Sequence, residues 1–397
     1  MTKLANRINR LEESATIAMA RKSRELKAQG RDIISLSLGE PDFDTPDFIK
    51  DAAKDAIDNN FTKYMAVNGY EDLRTSICAK FKRDNNLDYT EDQIVVSTGA
   101  KQSIANVVMS IINPGDEVIV PAPYWVTYVE IIKMAGGIPV IIHAGIDNDF
   151  KMSAAQFTAA ISPKTRMMIF SSPCNPTGTV YTEDELGDLA DVIAENPDMV
   201  VLSDEIYEHI NFTGQHHSIA QFSGVKDQVV TINGVSKAFA MTGWRLGYIG
   251  APLWIAKACT KMQGQFTSGA CGITQRAAKA AVEADPSVTH EMRDAFLKRR
   301  DLVLSRLEKI EGVKTNLPPG AFYVFPDISH YFGTSGNGMS VNNASDMSLY
   351  LLEAANVALV TGAAFGDPDC IRISYAASEE ILTEALNRIE KALNELS

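Results

Sequence analysis

The chain has 397 residues, 45% of them apolar and 22% charged, a balance that excludes a disordered, fibrous or staple-dependent protein and leaves room for two or three domains of about 150 residues. With 37 basic against 50 acidic residues the net charge is −13, which repels nucleic acid and anionic membrane surfaces, so an anionic ligand must meet local positive charge. Five cysteines (Cys78, Cys174, Cys259, Cys271, Cys370), odd in number and without a CxxC pair, indicate neither a disulfide framework nor a zinc ribbon and fit a reducing cytoplasm. The first residues, MTKLANRINRLEESATIAMARKSREL, are broken by charge every few positions, unlike a signal peptide. No stretch reaches the roughly 18 to 20 apolar residues of a membrane span.

In chain order, residues 15 to 29 carry apolar side chains at helical spacing and stop at Gly30, which predicts a helix followed by a short strand over 33 to 39. GEPDFDTP then reads as a turn-rich connector. From residue 94 onward short β-branched runs alternate with longer helical patterns: QIVVS, EVIVP, PVIIH, RMMIFSS, MVVLSDE, QVVTING and LGYIGA. That alternation predicts an α/β fold, with a mainly parallel sheet sandwiched by helices. After about residue 285 the texture changes to a charged helix over roughly 286 to 311, then AFYVFPDI, a helix near 344 to 355, VALVTG, CIRISYA and a last amphipathic helix from 378. The expected organisation is an arm over 1–45 that contributes to a small α+β domain, a large domain over 46–285 and the rest of the small domain over 286–397. The run GTSGNG at 333 to 338 reads as a surface loop, and His209, His216 and His217 read as loop or packing residues without metal-site spacing.

Polar and glycine-rich residues fall just after the strands, at STGAKQ, PCNPTG, SDEIY and GVSK, where ligands of open α/β sheets bind. Lys237, in GVSKAFAMTGWRLG, is either a solvated loop lysine or a Schiff-base lysine, whose amine loses charge more readily when desolvated or near a cation such as Arg245. Asp204, ending MVVLSD, is a capping carboxylate or the partner of a ring nitrogen; Tyr207 stands three residues on and Asn175 lies within NPTG. Those five side chains match the atoms of pyridoxal phosphate one by one. A carboxylate keeps the ring nitrogen protonated, a phenol and an amide donate to the ring oxygen, and a lysine takes the aldehyde. The phosphate needs a guanidinium and helix N–H groups, which Arg245 and Gly99-Ala100-Lys101 offer. Trp125, in PAPYWVTY, offers a flat face for the ring or is an ordinary core aromatic.

The stretch from Gly234 to Gly247 resembles the cofactor-lysine signature of the class I, fold-type I aminotransferases. The likeness extends through ESATIA, GEPDFDTP, TKYMAVNGYEDLR, NPTGTVY, SDEIYEH, GAFYVF and RISYA, nearest to the bacterial aspartate aminotransferase subgroup. The resemblance implies a homodimer with shared active sites, in which Tyr64 reaches the partner's cofactor phosphate. It also implies that Ser236 joins the cofactor-binding set and that Gly39, Trp125, Asn175 and Arg372 hold the amino-acid substrate. From the residues alone, Arg372 is a surface strand arginine or a planar fork for an α-carboxylate.

The subgroup takes aspartate's second carboxylate with a lysine and an arm serine, which match Lys101 and Ser14, and GQFTSGACG lacks the partner arginine of animal and enterobacterial enzymes. Relatives that also transaminate prephenate carry a basic residue shortly before that serine, where this chain has Glu12 and Glu13. The expected activity is a ping-pong transfer of the amino group of L-aspartate to 2-oxoglutarate, with Lys237 as general base and acid. The alternatives are a broad-specificity, aromatic or prephenate aminotransferase, a carbon–sulfur β-lyase that needs no acceptor, and a cofactor-binding sensor without catalysis.

Overall fold

The computed structural model describes residues 4–397. Seven strands form one sheet in the spatial order Ile94–Ser97, Gly247–Gly250, Val229–Gly234, Val200–Asp204, Thr165–Ser171, Glu117–Ala122 and Ile138–His143. Only Gly247–Gly250 runs antiparallel to its neighbours. Both faces are covered, so each strand alternates between two cores instead of between core and solvent. Val96, Met168, Phe170 and Val201 pack on one face with helices Glu71–Asn85, Glu183–Ala194 and Gly272–Glu283. Val95, Met167, Ile169 and Val200 pack on the other with Ala100–Ile111, Thr127–Ala135 and Leu253–Phe266.

A second core gathers around a three-stranded antiparallel sheet of Val360–Thr361, Ile371–Ser374 and Tyr323–Val324, covered by helices His290–Leu307, Ala344–Ala354 and Glu379–Leu393. The N-terminal helix Ala15–Ala28 leads to Ile34–Ser35, which pairs in parallel with Val357–Ala358 and ties the start of the chain to its end. The strand expected over 33 to 39 is therefore two residues long, because the chain leaves the pairing at Leu36 to approach the large sheet's edge. Residues 286 to 289 form a 3-10 turn, with Pro286 at its start and the Asp285 side chain accepting from Ser287 N at 2.9 Å; the α-helix proper begins at His290 and ends at Leu307.

The run 333 to 338 departs from expectation. It belongs to a hairpin in which Thr334–Gly336 pairs with Met339–Val341. Asn337 and Gly338 form its two-residue turn, both with positive φ (51° and 75°). An Asn-Gly pair suits that geometry, and the reading as an irregular loop overlooked it.

Candidate active site

The parallel strands all end at one edge of the sheet, and the antiparallel strand begins there, so the residues following the first and preceding the second meet. Ser97 and Gly234 both pair with Gly247, which sets the Gly99 turn, the Lys237 segment and Arg245 side by side. The cavity over this edge has a volume of about 240 Å³. Ser14, Gly39, Ala100, Lys101, Trp125, Asn175, Asp204, Tyr207, Ser236, Lys237, Arg245 and Arg372 all line it. Gly99 lies just behind Arg245. Its backbone (φ 85°, ψ 157°) is open essentially to glycine alone, and an added Cβ would strike the Arg245 guanidinium. Tyr64 is the exception among the expected residues: it stands outside the cavity with 99% of its surface exposed.

Asp204 is buried, and burial pushes its carboxyl up to about 6; a hydrogen bond from Tyr128 Oη to Oδ2 at 2.7 Å works against that shift. No cationic group hydrogen-bonds to this carboxyl among the described residues, so it is a buried acid lacking a counter-charge within bonding distance. Burial likewise brings the Lys237 ammonium down to about 8, with Arg372 and Arg245 adding repulsion. Its Nζ donates to Gly39 O at 2.5 Å. Lys101 lies with Nζ 5.0 Å from the centre of the Trp125 ring, its ammonium lowered by burial and by Arg245.

Arg372 is 2% exposed and donates from Nη1 to Asn175 Oδ1 at 2.8 Å and from Nη2 to Ser37 O at 2.5 Å. Its Nε has no acceptor. With Oδ1 engaged, the Asn175 amide is left to donate. Tyr207 Oη lies 2.8 Å from Tyr323 Oη. At the start of helix Ala100–Ile111 the first backbone N–H groups have no carbonyl a turn earlier to bond.

Sequence reasoning missed Tyr128, Ser171 and Tyr323, all of which line the cavity. Tyr128 had a signal, three residues after Trp125 at the start of the helix Thr127–Ala135. His209, His216 and His217 lie in loop segments, but two of them are not apart from carboxylates as their spacing suggested. His216 Nε2 lies 2.9 Å from Glu205 Oε2 and His209 Nε2 3.2 Å from Glu208 Oε1, so these histidines meet buried carboxylates close in sequence. Asp84, Glu208 and His209, and likewise Glu205, Glu208 and His216, bring their ligand atoms within 4.8 Å of one another, although the Lys80 ammonium already pairs with Glu208.

Residues 31–389 match the family described as aminotransferase class I and II. The chain belongs to that family. An aspartate/prephenate aminotransferase of Cereibacter sphaeroides is 47% identical over 393 residues, covering 98% of each chain. A bifunctional aspartate and glutamate/aspartate-prephenate aminotransferase of Petunia hybrida is 46% identical, covering 98% of this chain and 82% of its own. The crystal structure of an aspartate aminotransferase from Rhizobium meliloti superimposes with a TM-score of 0.97 at 41% identity over the whole of both chains. One from Thermus thermophilus with maleate gives 0.93 at 38% identity, covering 99% of this chain and all of the other.

The protein is thus a pyridoxal-phosphate-dependent aminotransferase, with amino acids and 2-oxo acids as substrates. Its donor set suits the cofactor: a buried acid without a bonded cation, a lysine of depressed basicity, and an arginine beside a helix N-terminus. Among the described residues no helix is long and apolar enough to cross a membrane.

Asp204 makes the cofactor-free protein sensitive to pH. Between its ordinary value of 3.8 and about 6 the folded state keeps a proton that the unfolded chain releases. The contribution of Asp204 to stability is therefore fullest below about pH 4 and is lost, by about 3 kcal/mol, as pH rises from there through about 6. Urea unfolding of cofactor-free wild type and Asp204→Asn is expected to show this loss in the wild type only. Parallel pH dependences in the two proteins would contradict an elevated Asp204.

Proposed function

We propose that this aminotransferase carries the amino group of L-aspartate to 2-oxoglutarate in a ping-pong cycle. The observation that carries the reading is a pair of cations in the cavity, Arg372 and Lys101, over and above Arg245, which we assign to the cofactor phosphate. A dicarboxylic substrate needs two anion partners, whereas a neutral amino acid needs one. Arg372 lines the cavity as a planar cation for an α-carboxylate, and its buried Nε has no acceptor of its own. Lys101 shares the cavity with Ser14, which precedes helix Ala15–Ala28 without capping it through its side chain, so that hydroxyl is left for a ligand. The names of the relatives above support the same substrate class.

In this reading Asp204 faces the ring nitrogen, Tyr207 and Asn175 donate to the ring oxygen, and Trp125 covers a ring face. The N–H groups at Ala100 and Lys101, the Ser236 hydroxyl and Arg245 receive the phosphate, whereas the Gly99 N–H, expected to join them, already donates to Ser97 O at 2.8 Å. Bound pyridoxal phosphate supplies a carbonyl carbon for amines and a cationic ring that accepts the electron pair of the substrate's Cα–H bond. Lys237 Nζ takes the Cα proton and later returns one, a role for which a basicity near 8 makes the free amine accessible close to neutral pH. Arg372, fixed by Asn175 and Ser37, orients the substrate, and Gly39 forms the wall against which the substrate lies. We place the large domain between about residues 45 and 285, which puts Arg372 on the C-terminal part. A second reading adds prephenate as an acceptor, favoured by the name of the Cereibacter relative, although Glu13 is tied to Arg21 and neither Glu12 nor Glu13 supplies a cation.

Borohydride treatment of the cofactor-loaded protein should fix a pyridoxyl label on the Lys237 peptide, and Lys237→Ala should abolish both label and turnover. A label on another lysine would remove the assignment. Lys101→Ala is expected to lower kcat/KM for aspartate about 10- to 100-fold, the worth of one charged hydrogen bond, and to leave phenylalanine nearly unaffected. Equal losses for both donors would remove the reason for preferring aspartate. Running the same panel with and without 2-oxoglutarate, and with prephenate in its place, separates a lyase and the second reading. We also propose a homodimer in which Tyr64, left in solvent here, completes a partner's site. Light scattering should then give about twice the 43.3 kDa chain mass, and a monomer with full activity would refute shared sites.

A further inference from the structure

Tyr323 contacts neither cofactor nor substrate in the proposed site, yet its position is unusually constrained. It is fully buried, sits on the strand Tyr323–Val324 beside the strand that carries Arg372, and lines the cavity. Its hydroxyl meets that of Tyr207 at 2.8 Å, and its ring centre lies 4.6 Å from the Arg372 guanidinium carbon, which Phe365 also approaches at 4.8 Å. The Cα of Gly39 closes on the same hydroxyl, so that any Cβ at position 39 would occupy the place of the phenol oxygen. Tyr207 and Phe322 complete the wall, with ring centres 5.9 Å and 4.8 Å from Tyr323.

Two phenols that share one hydrogen bond own two protons. One lies between the oxygens, and the other is free to point elsewhere. If Tyr207 is to donate to an acceptor in the cavity, the proton between the two oxygens must come from Tyr323. Burial raises both phenols and Arg372 works against it at both, but the guanidinium lies directly over the Tyr323 ring, 4.6 Å from its centre, which favours Tyr323 as the donor. A hydroxyl that itself receives a hydrogen bond is a stronger donor in turn.

We propose that Tyr323 is a positioning residue that donates to Tyr207 and shelves Arg372, so that carboxylate binding at Arg372 is sensed by the proton Tyr207 offers to the cofactor's ring oxygen. This rests on the site reading above, in which Tyr207 faces that oxygen and Arg372 the substrate carboxylate. An anion at Arg372 offsets the positive charge beside Tyr323 and weakens its donation, so the two ends of the site are coupled through one phenol and not merely adjacent.

The test uses the cofactor-loaded protein and the pH midpoint of its absorbance change, with maleate as a dicarboxylate probe. Tyr323→Phe keeps the ring and removes only the hydroxyl. It should raise the midpoint by about half a unit to one unit, the size of one neutral hydrogen bond. Tyr207→Phe should raise it further, and the double variant should go no further than Tyr207→Phe. The shift that maleate produces in wild type should shrink in Tyr323→Phe. A shifted midpoint in Tyr207→Phe with none in Tyr323→Phe would overturn the proposal and leave the site reading intact. No shift in either would overturn the assignment of Tyr207 itself. Tyr323→Leu, which also removes the shelf, is expected to weaken maleate binding at least several-fold more than Tyr323→Phe; equal affinities would overturn the shelving role.

Discussion

Asp204 and Lys237 carry opposite charges into the same water-poor edge of the sheet, and neither finds enough compensation there to keep its ordinary acidity. Burial drives both toward their neutral forms, the acid upward and the base downward. Such a pair is unfavourable for an empty pocket and favourable for one that receives a cationic ring and a carbonyl carbon. In the proposed site the same desolvation that costs stability in the cofactor-free chain would favour binding and reactivity in the loaded one. Arg372 and Arg245 add to it, since each pushes the Lys237 amine further toward the free base.

The pocket's cations are steadied largely by backbone carbonyls and not by acids. Lys237 donates to Gly39 O, Arg372 to Ser37 O and Arg245 to Thr242 O. Neutral acceptors hold a cation in place without cancelling its charge, so each keeps its attraction for an incoming carboxylate or phosphate. Segment 37 to 39 therefore does more than connect: it fixes, from one stretch of chain, both Lys237 and Arg372, the residues proposed to move the proton and to bind the carboxylate. The narrow approach of Gly39 to Tyr323 follows from the same placement.

Much of this was legible in the residues. The β-branched runs marked all seven strands of the large sheet, and the polar groups following them marked its functional edge, because strand direction alone sends those loops to one place. Lys237 and Arg245 could be read together, being eight residues apart in one motif. Contacts between distant stretches were not legible. Ser37 and Arg372 are 335 residues apart, and Tyr207 and Tyr323 are 116 apart, so no local pattern announces either bond. The hairpin at 334 to 341 was missed for another reason. Its glycines read by composition as a surface loop, which hides the Asn337-Gly338 turn within them.

The loop from Asp204 to His209 shows how one segment serves two faces. Asp204 and Tyr207 turn to the cavity, while Glu205 and Glu208 turn away into a buried polar network. Glu205 accepts from Ser203 and Ser218 at 2.9 and 2.6 Å and meets His216; Glu208 accepts from Asn85 at 2.7 Å and pairs with Lys80, itself bonded to Asn85 Oδ1 at 2.8 Å. Burial would push the Glu208 carboxyl up, yet Lys80 and His209 hold it well below its usual range. Buried ion pairs add little net stability against an apolar substitute, but breaking one leaves an uncompensated charge, so they fix geometry strongly. Here the fixed geometry is that of the loop's other face. In the proposed site Asp204 and Tyr207 each meet a particular atom of a rigid ring, and a loop held only by apolar packing would leave them freer to slide than such recognition tolerates.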